Sequence, residues 1–172
     1  MSLPLMIFAA GKGTRMAPLT DVTPKPLIPV AGRTLLDRAL DLGEQAGTGR
    51  VVVNIHHLGG QIRDHIGARA TISDETERLL ETGGGLRKAL PLLGPGPVIT
   101  MNPDVVWTGP NPVAALLDAW RDDMDALLML VPIARTHGRQ GGGDFGLGPG
   151  DRLIRGGDLV YGGAQIVRPD RL

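Results

Sequence analysis

The chain has 172 residues, 42% of them apolar and 21% charged, with no cysteine and with 18 basic residues balancing 18 acidic ones. That length suits one domain, and a neutral balance with only 3% aromatics excludes both a counterion-release hold on nucleic acid and a base-stacking platform. Disulfides and thiolate metal sites are excluded too. No apolar run approaches the ~18 residues of a membrane span, and no basic segment leads an apolar one as in a signal peptide. The expectation is a cytoplasmic protein with neither nucleic-acid nor membrane partners.

Taken in chain order, apolar runs alternate with segments of helical period. "LMIFAA" (5–10) reads as a buried strand ended by Gly11. "TLLDRALDLGEQAG" reads as a helix capped by Thr34, with Asp37 at the third position and Gly47 closing it. "RVVVNI" is a β-branched strand, "LGGQIRDHIG" a short helix ending at Gly67, and "ATIS" a weak strand. "GGLRKALPLL" is expected to be helical until Pro91 stops it, with "PVITMN" as the next strand. "PVAALLDAWR" is a helix with Pro112 in its first turn, and "ALLMLVPI" a buried strand. Beyond Thr136 glycines dominate. "GRQGGGDFGLGPGD" reads as a lid or flexible connection, its Gly141–Gly143 run as plain flexibility, and "LVYGGAQIV" as the one clear strand left. The βαβαβ alternation predicts an α/β Rossmann-like three-layer sandwich with a mostly parallel twisted sheet.

The loop after the first strand, "FAAGKGTRMAPLTDVTPKP" (8–26), has the composition of a phosphate grip. It would sit at the carboxyl end of a parallel strand, where ligands gather in open sheets. Gly11 and Gly13 let backbone N–H groups approach a ligand with no Cβ in the way. Arg15 adds a planar cationic fork, and Lys25 a point charge on a chain stiffened by Pro24 and Pro26. It is not a Walker loop, because Gly13 follows Lys12 where Ser or Thr is needed. It is not a dinucleotide fingerprint either, because Met16 stands where the third glycine belongs.

The full string, A-A-G-x-G-T-R-M-x-P-L-T followed after four residues by P-K-P, resembles the signature loop of the sugar-1-phosphate nucleotidyltransferases. Three further segments resemble that family in the same order. "LLETGGGLRKALPLL" (79–93) is similar to its nucleobase segment, "MNPDVVW" (101–107) to its strand-end N-x-D, and "YGGAQIVRPDRL" (161–172) to a strand lining the sugar side. Together with "VVVNIHHLGGQI", "ISDE" and "DFGL", these place the resemblance nearest the bacterial branch acting on N-acetylmuramate 1-phosphate with UTP. Mannose-1-phosphate guanylyltransferases share much of the pattern.

The resemblance implies a single domain over 1–172, with 1–134 as the nucleotide-binding half and 135–172 as part of the sugar-binding half. It implies an NTP and a sugar 1-phosphate as partners, Mg2+ as cofactor, and a place in cell-wall precursor recycling. Ala10, Gly11, Gly13, Thr14, Arg15, Lys25, Gly83 and Asn102 would bind nucleotide, with Arg15 and Lys25 as the catalytic cations. Asp104 would hold Mg2+, and Asp144, Asp158 and Gly163 would face the sugar. The attacking sugar phosphate is already anionic, so positioning and charge stabilisation suffice and no general base is required.

Taken alone, an aspartate at a strand end is as readily structural as metal-binding. His56 and His57, adjacent on a strand, point to opposite faces and do not share an ion. The family's second metal-binding aspartate, with the strand and helix around it, has no counterpart up to Leu172, and neither Asp158 nor Asp170 has the right context. A truncated or partly observed chain is therefore expected. Two other readings stay open: a non-catalytic nucleotide-sugar-binding module, and an NTPase, against which the missing Walker pair argues. Nothing in the residues assigns an oligomeric state.

Overall fold

Alternate residues of the first strand face two different cores, and that alternation organises the molecule. In the computed structural model residues 2–171 are described; Met1 and Leu172, the latter closing the "YGGAQIVRPDRL" segment, lie outside them. In chain order the elements are β1 (Leu5–Phe8), a one-turn helix α1 (Leu19–Val22), β2 (Pro29–Val30), β3 (Arg33–Thr34), α2 (Leu35–Gln45), β4 (Val51–Ile55), α3 (Gly59–Ile66) and β5 (Thr71–Asp74). There follow α4 (Glu81–Leu93), β6 (Val98–Met101), α5 (Pro112–Ala119), β7 (Ala126–Pro132), β8 (Phe145–Leu147), β9 (Leu153–Arg155) and β10 (Leu159–Val167).

The main sheet runs β5-β4-β1-β6-β10-β8-β9, with β7 paired to β10. β5, β4, β1 and β6 are mutually parallel; β10 enters antiparallel to β6 and β7. Leu5 and Ile7, Val53 and Ile55, and Ile99 and Met101 face one side, where Leu36, Ala39, Ile62, Ile66, Val113 and Leu116 of α2, α3 and α5 cover them. Met6, Val52 and Val98 face the other side, where Ala89 and Leu93 of α4 cover them. The period of two along each strand thus separates two helical layers across one sheet, the expected three-layer sandwich. Among the described residues no helix is long and apolar enough to cross a membrane.

The caps of α2 form as the residues predict. The Asp37 N–H donates to the Thr34 hydroxyl at 3.0 Å. At the other end Gly47 takes φ +66°, its N–H bonding Glu44 O and that of Thr48 bonding Gly43 O, the paired closure that a left-handed glycine permits. Asn111 caps α5 with Pro112 in its first turn.

Four expectations are corrected. Helix α4 starts at Glu81, before the glycines, and runs through Pro91 to Leu93. Pro91 and Arg87, whose carbonyl loses its helical partner, are both exposed, where solvent can serve such a group. β7 is only half-buried, because it pairs with β10 alone and forms an edge. The glycine-rich stretch contains β8, which forms an antiparallel hairpin with β9. Gly143 is not slack: a Cβ there would lie 2.7 Å from both Gly157 O and Leu159 N, so its bareness lets two backbones touch.

Candidate active site

A cleft of about 260 Å3 opens at the carboxyl ends of β1 and β6, lined by Phe8, Gly11, Gly13, Arg15, Lys25, Pro26, Asn102, Pro103 and Asp104. Six of the residues singled out by sequence therefore meet in one place: Gly11, Gly13, Arg15, Lys25, Asn102 and Asp104. The parallel register makes this possible, since β1 and β6 are neighbours that end side by side.

The loop is held by contacts with its own later residues. Gly13 sits at φ +65°, and a Cβ there would lie 2.9 Å from the Thr20 methyl and 3.1 Å from Lys25 Cβ. Its carbonyl accepts from the Thr20 hydroxyl at 3.0 Å and from the Met16 N–H at 2.9 Å. Thr20 is itself 2% exposed, and its carbonyl bonds His57 Nε2 at 2.8 Å. Gln61 donates to Val22 O at 3.0 Å. The segment leaving β4 thus fastens the loop leaving β1. His56 Nδ1 meets the Glu75 carbonyl at 2.7 Å; both histidines lie in the turn beyond β4 and not on the strand as expected, yet they have separate backbone partners.

Across the cleft the Lys25 ammonium donates to Asp104 Oδ2 at 2.6 Å. Both side chains stay partly open to solvent, at 28% and 38%, so neither charge is sealed away from a ligand. Arg15 is exposed on the same cleft. Asn102 is held by its N–H to Gly163 O at 2.8 Å, and a Cβ on Gly163 would meet the Asn102 side chain at 3.1 Å. Gly163 takes φ +75° in the stretch of β10 where its pairing with β7 slips. Next door, Trp107 lies against Gly162, whose missing Cβ would sit 2.4 Å from the indole ring.

A second, adjoining cleft of about 160 Å3 shares Phe8 and Gly11 with the first and adds Ala10, Asn54, Leu79, Glu81 and Thr82. Gly83 and Thr14 stand outside the linings of both clefts. Asp144 is spent on its own backbone: it accepts from Tyr161 N–H at 2.9 Å and from Arg139 at 2.6 Å. The Tyr161 amide first, and Arg139 after it, hold its carboxyl below the usual carboxylate range. Asp158 is exposed, and its carbonyl accepts from Ile133 N–H at 2.8 Å.

Sequence reasoning passed over Thr20, Asn54 and Glu75. Asn54 and Glu75 are 3% and 1% exposed, and a polar residue in the otherwise apolar run "VVVNI" was the available signal.

The metal question turns on Asp104. Among the described residues no three His, Cys, Asp or Glu side chains gather as a ready metal cluster. Mg2+ needs no such cluster, since it is commonly held through one or two carboxylates together with substrate phosphates. The partly exposed Asp104 carboxylate, paired with Lys25 and facing Gly11 and Gly13 across one cleft, is compatible with that kind of donor set.

The profile of the MobA-like NTP transferase domain matches residues 5–139. The chain is 40% identical to the N-acetylmuramate alpha-1-phosphate uridylyltransferase of Caulobacter vibrioides, over 96% of this chain and 75% of that protein. It is 38% identical to the protein of the same name from Neisseria meningitidis serogroup B, with the same coverage. Among solved structures it resembles HddC from Yersinia pseudotuberculosis complexed with GMP-PN, with a TM-score of 0.73 and 18% identity over 98% of this chain and 77% of that one. That last likeness speaks to the fold alone.

Proposed function

The chain belongs to the family of MobA-like NTP transferase domains, and on that premise we propose that it transfers the uridylyl group of UTP to N-acetylmuramate 1-phosphate. The products are a UDP-sugar and pyrophosphate. The two uridylyltransferases at 40% and 38% identity support the choice of substrates. The observation that carries the reading is the meeting of Gly11, Gly13, Arg15, Lys25 and Asp104 in one cleft.

An oxygen of the sugar phosphate attacks the α-phosphorus; the bond from that phosphorus to the bridging oxygen breaks, and pyrophosphate leaves with its electron pair. No proton must be removed from the nucleophile, which matches a cleft furnished with cations and main-chain amides. The loop amides around Gly11 and Gly13 take phosphate oxygens. Arg15 balances charge that builds on the departing pyrophosphate, and Lys25 does so at the reacting centre. Asn102 orients the nucleotide from the end of β6. Mg2+, when bound, supplies charge neutralisation across the phosphate oxygens, and Asp104 is the side chain that would hold it. Lys25, paired with Asp104, would be free to turn to phosphate wherever that carboxylate is otherwise engaged.

The test is release of pyrophosphate from the protein with Mg2+, each NTP in turn and a panel of sugar 1-phosphates. UTP with N-acetylmuramate 1-phosphate should be the best pair. GTP with mannose 1-phosphate as the best pair would replace the substrates but keep the chemistry. Binding of an NTP without release from any pair would sink the enzyme.

A further inference from the structure

Behind the second cleft lies a buried polar chain that the reaction just described does not use. The Ala9 N–H donates to Asn54 Oδ1 at 2.7 Å, Asn54 Nδ2 donates to Glu75 Oε1 at 2.8 Å, and the Leu80 N–H donates to Glu75 Oε2 at 3.0 Å. Glu75 is 1% exposed, and each of the partners found for its carboxylate is a neutral donor. Its main chain is also tied in: its N–H bonds Ile55 O at 2.8 Å and its carbonyl bonds His56. Helix α4 closes over the pair at Gly85, where a Cβ would stand 2.7 Å from Glu75 Oε1 and 2.9 Å from Asn54 Nδ2.

A carboxyl group buried without a cation costs stability, and an apolar side chain of similar volume would serve a core better. What the pair does is join three chain segments. Ala9 begins the glycine loop, Asn54 lies at the end of β4, and Leu80 leads into α4. Those segments are also the walls of the 160 Å3 cleft, through Ala10 and Gly11, Asn54 itself, and Leu79, Glu81 and Thr82. Glu81, the residue after the bonded Leu80, is held at φ +59°, a conformation that an L residue adopts at a cost. The bond to Leu80 fixes the chain next to that strained point.

We infer that Glu75, acting through Asn54 and the Leu80 amide, is a positioning residue that sets the separation of the two walls between which the nucleoside part of the NTP is gripped. The inference rests on the nucleotidyltransferase reading, because it takes the second cleft as the continuation of the phosphate cleft with which it shares Phe8 and Gly11. Glu75 touches no reacting atom. Its loss should appear in nucleotide affinity and leave the turnover of saturated enzyme and the KM for sugar phosphate largely in place.

The polarity of the middle bond supplies the test. Glu75→Gln leaves one oxygen for the two donors that now share the carboxylate, and Asn54→Asp sets two carboxyl groups face to face. The double variant Asn54→Asp/Glu75→Gln restores all three bonds with the middle one reversed. The new amide nitrogen at position 75 would donate to the carboxylate at position 54, and the amide oxygen at position 75 would accept from Leu80. Position 54 would still accept from Ala9. The dissociation constant for UTP, measured by calorimetry with Mg2+, should rise about tenfold in each single variant and return to within about threefold of the starting value in the double. Circular dichroism on all four proteins would verify that each is folded. Single variants that bind UTP as tightly as the parent, or a double variant no better than the worse single, overturn the inference. Pyrophosphate release by the unsubstituted enzyme tests the reaction itself, so a failure of that reading is read separately from the ratios among the four forms.

Discussion

The two ends of the sheet are built to different standards. At the parallel end, β1 and β6 are almost wholly buried between two helical layers. At the antiparallel end, β9 is exposed along its length, and Leu147, Leu153 and Ile154 show 57%, 40% and 55% of their surface. The candidate site stands at the first end. A grip made of main-chain amides, as proposed for the loop around Gly11 and Gly13, cannot be adjusted by changing a side chain, so its precision would come from the stiffness of whatever carries it. The antiparallel end instead spends its carboxylate Asp144 on holding its own backbone.

Substitutions can break or sharpen that contrast. The largest effect is expected from Ile7→Ala, which empties a fully buried position and should cost up to about 5 kcal/mol in urea unfolding. Arg15→Ala should leave unfolding unchanged and lower kcat/KM by about 3–4 kcal/mol of transition-state stabilisation; unchanged turnover would remove Arg15 from the mechanism. Asp37 probes the helical layer beneath the parallel end through acid. Burial would raise its pKa, but hydrogen bonds from Arg69, the Thr34 hydroxyl and His65 outweigh that and bring it from 3.8 to about 2. A folded pKa below the unfolded one stabilises above the unfolded value, and the gain disappears as pH falls through the folded value. Asp37→Asn should therefore cost about 2 kcal/mol near neutrality, and the gap to the parent should close between about pH 4 and about pH 2.

Asp144→Ala, at the antiparallel end, should lower stability by about 1 kcal/mol and leave the KM for UTP alone. A rise in the KM for sugar phosphate would show that the carboxylate also reaches the sugar. The smallest effect is expected from Ile154→Ala, within about 0.5 kcal/mol in the same unfolding assay. A cost matching that of Ile7→Ala would erase the distinction between the two ends.

The same contrast explains what could be read from residues alone. β1, β4 and β6 are short apolar runs ended by turn signals, and α2 carries both of its caps in the sequence, so local chemistry and global packing agree there. The meeting of the glycine loop with Lys25 and Asp104 in one cleft was legible because their residue types suggest one chemistry. β8 and β9 were not, since each is only three residues long, glycines flank or interrupt them, and they exist through the pairing of β8 with β9 and with β10. α4 was misjudged at both ends for a related reason: three glycines and a proline argue against a helix locally, and only the approach of Gly85 to Glu75 and the solvent around Pro91 show why it holds. The Asn54–Glu75 pair joins positions far apart in sequence, so its partners cannot be read from either stretch.

The indole of Trp107, fitted into the gap left at Gly162 three residues beyond Asp104, gives the protein an optical reporter of its own candidate site. The chain has only two tryptophans, and the other, Trp120, is marked by the Arg168 guanidinium 5.8 Å from its ring centre. Replacing Trp120 with phenylalanine would leave a single tryptophan, packed on Gly162 next to the Gly163 that holds Asn102, and substrate loading could then be followed in real time by its fluorescence, without a label.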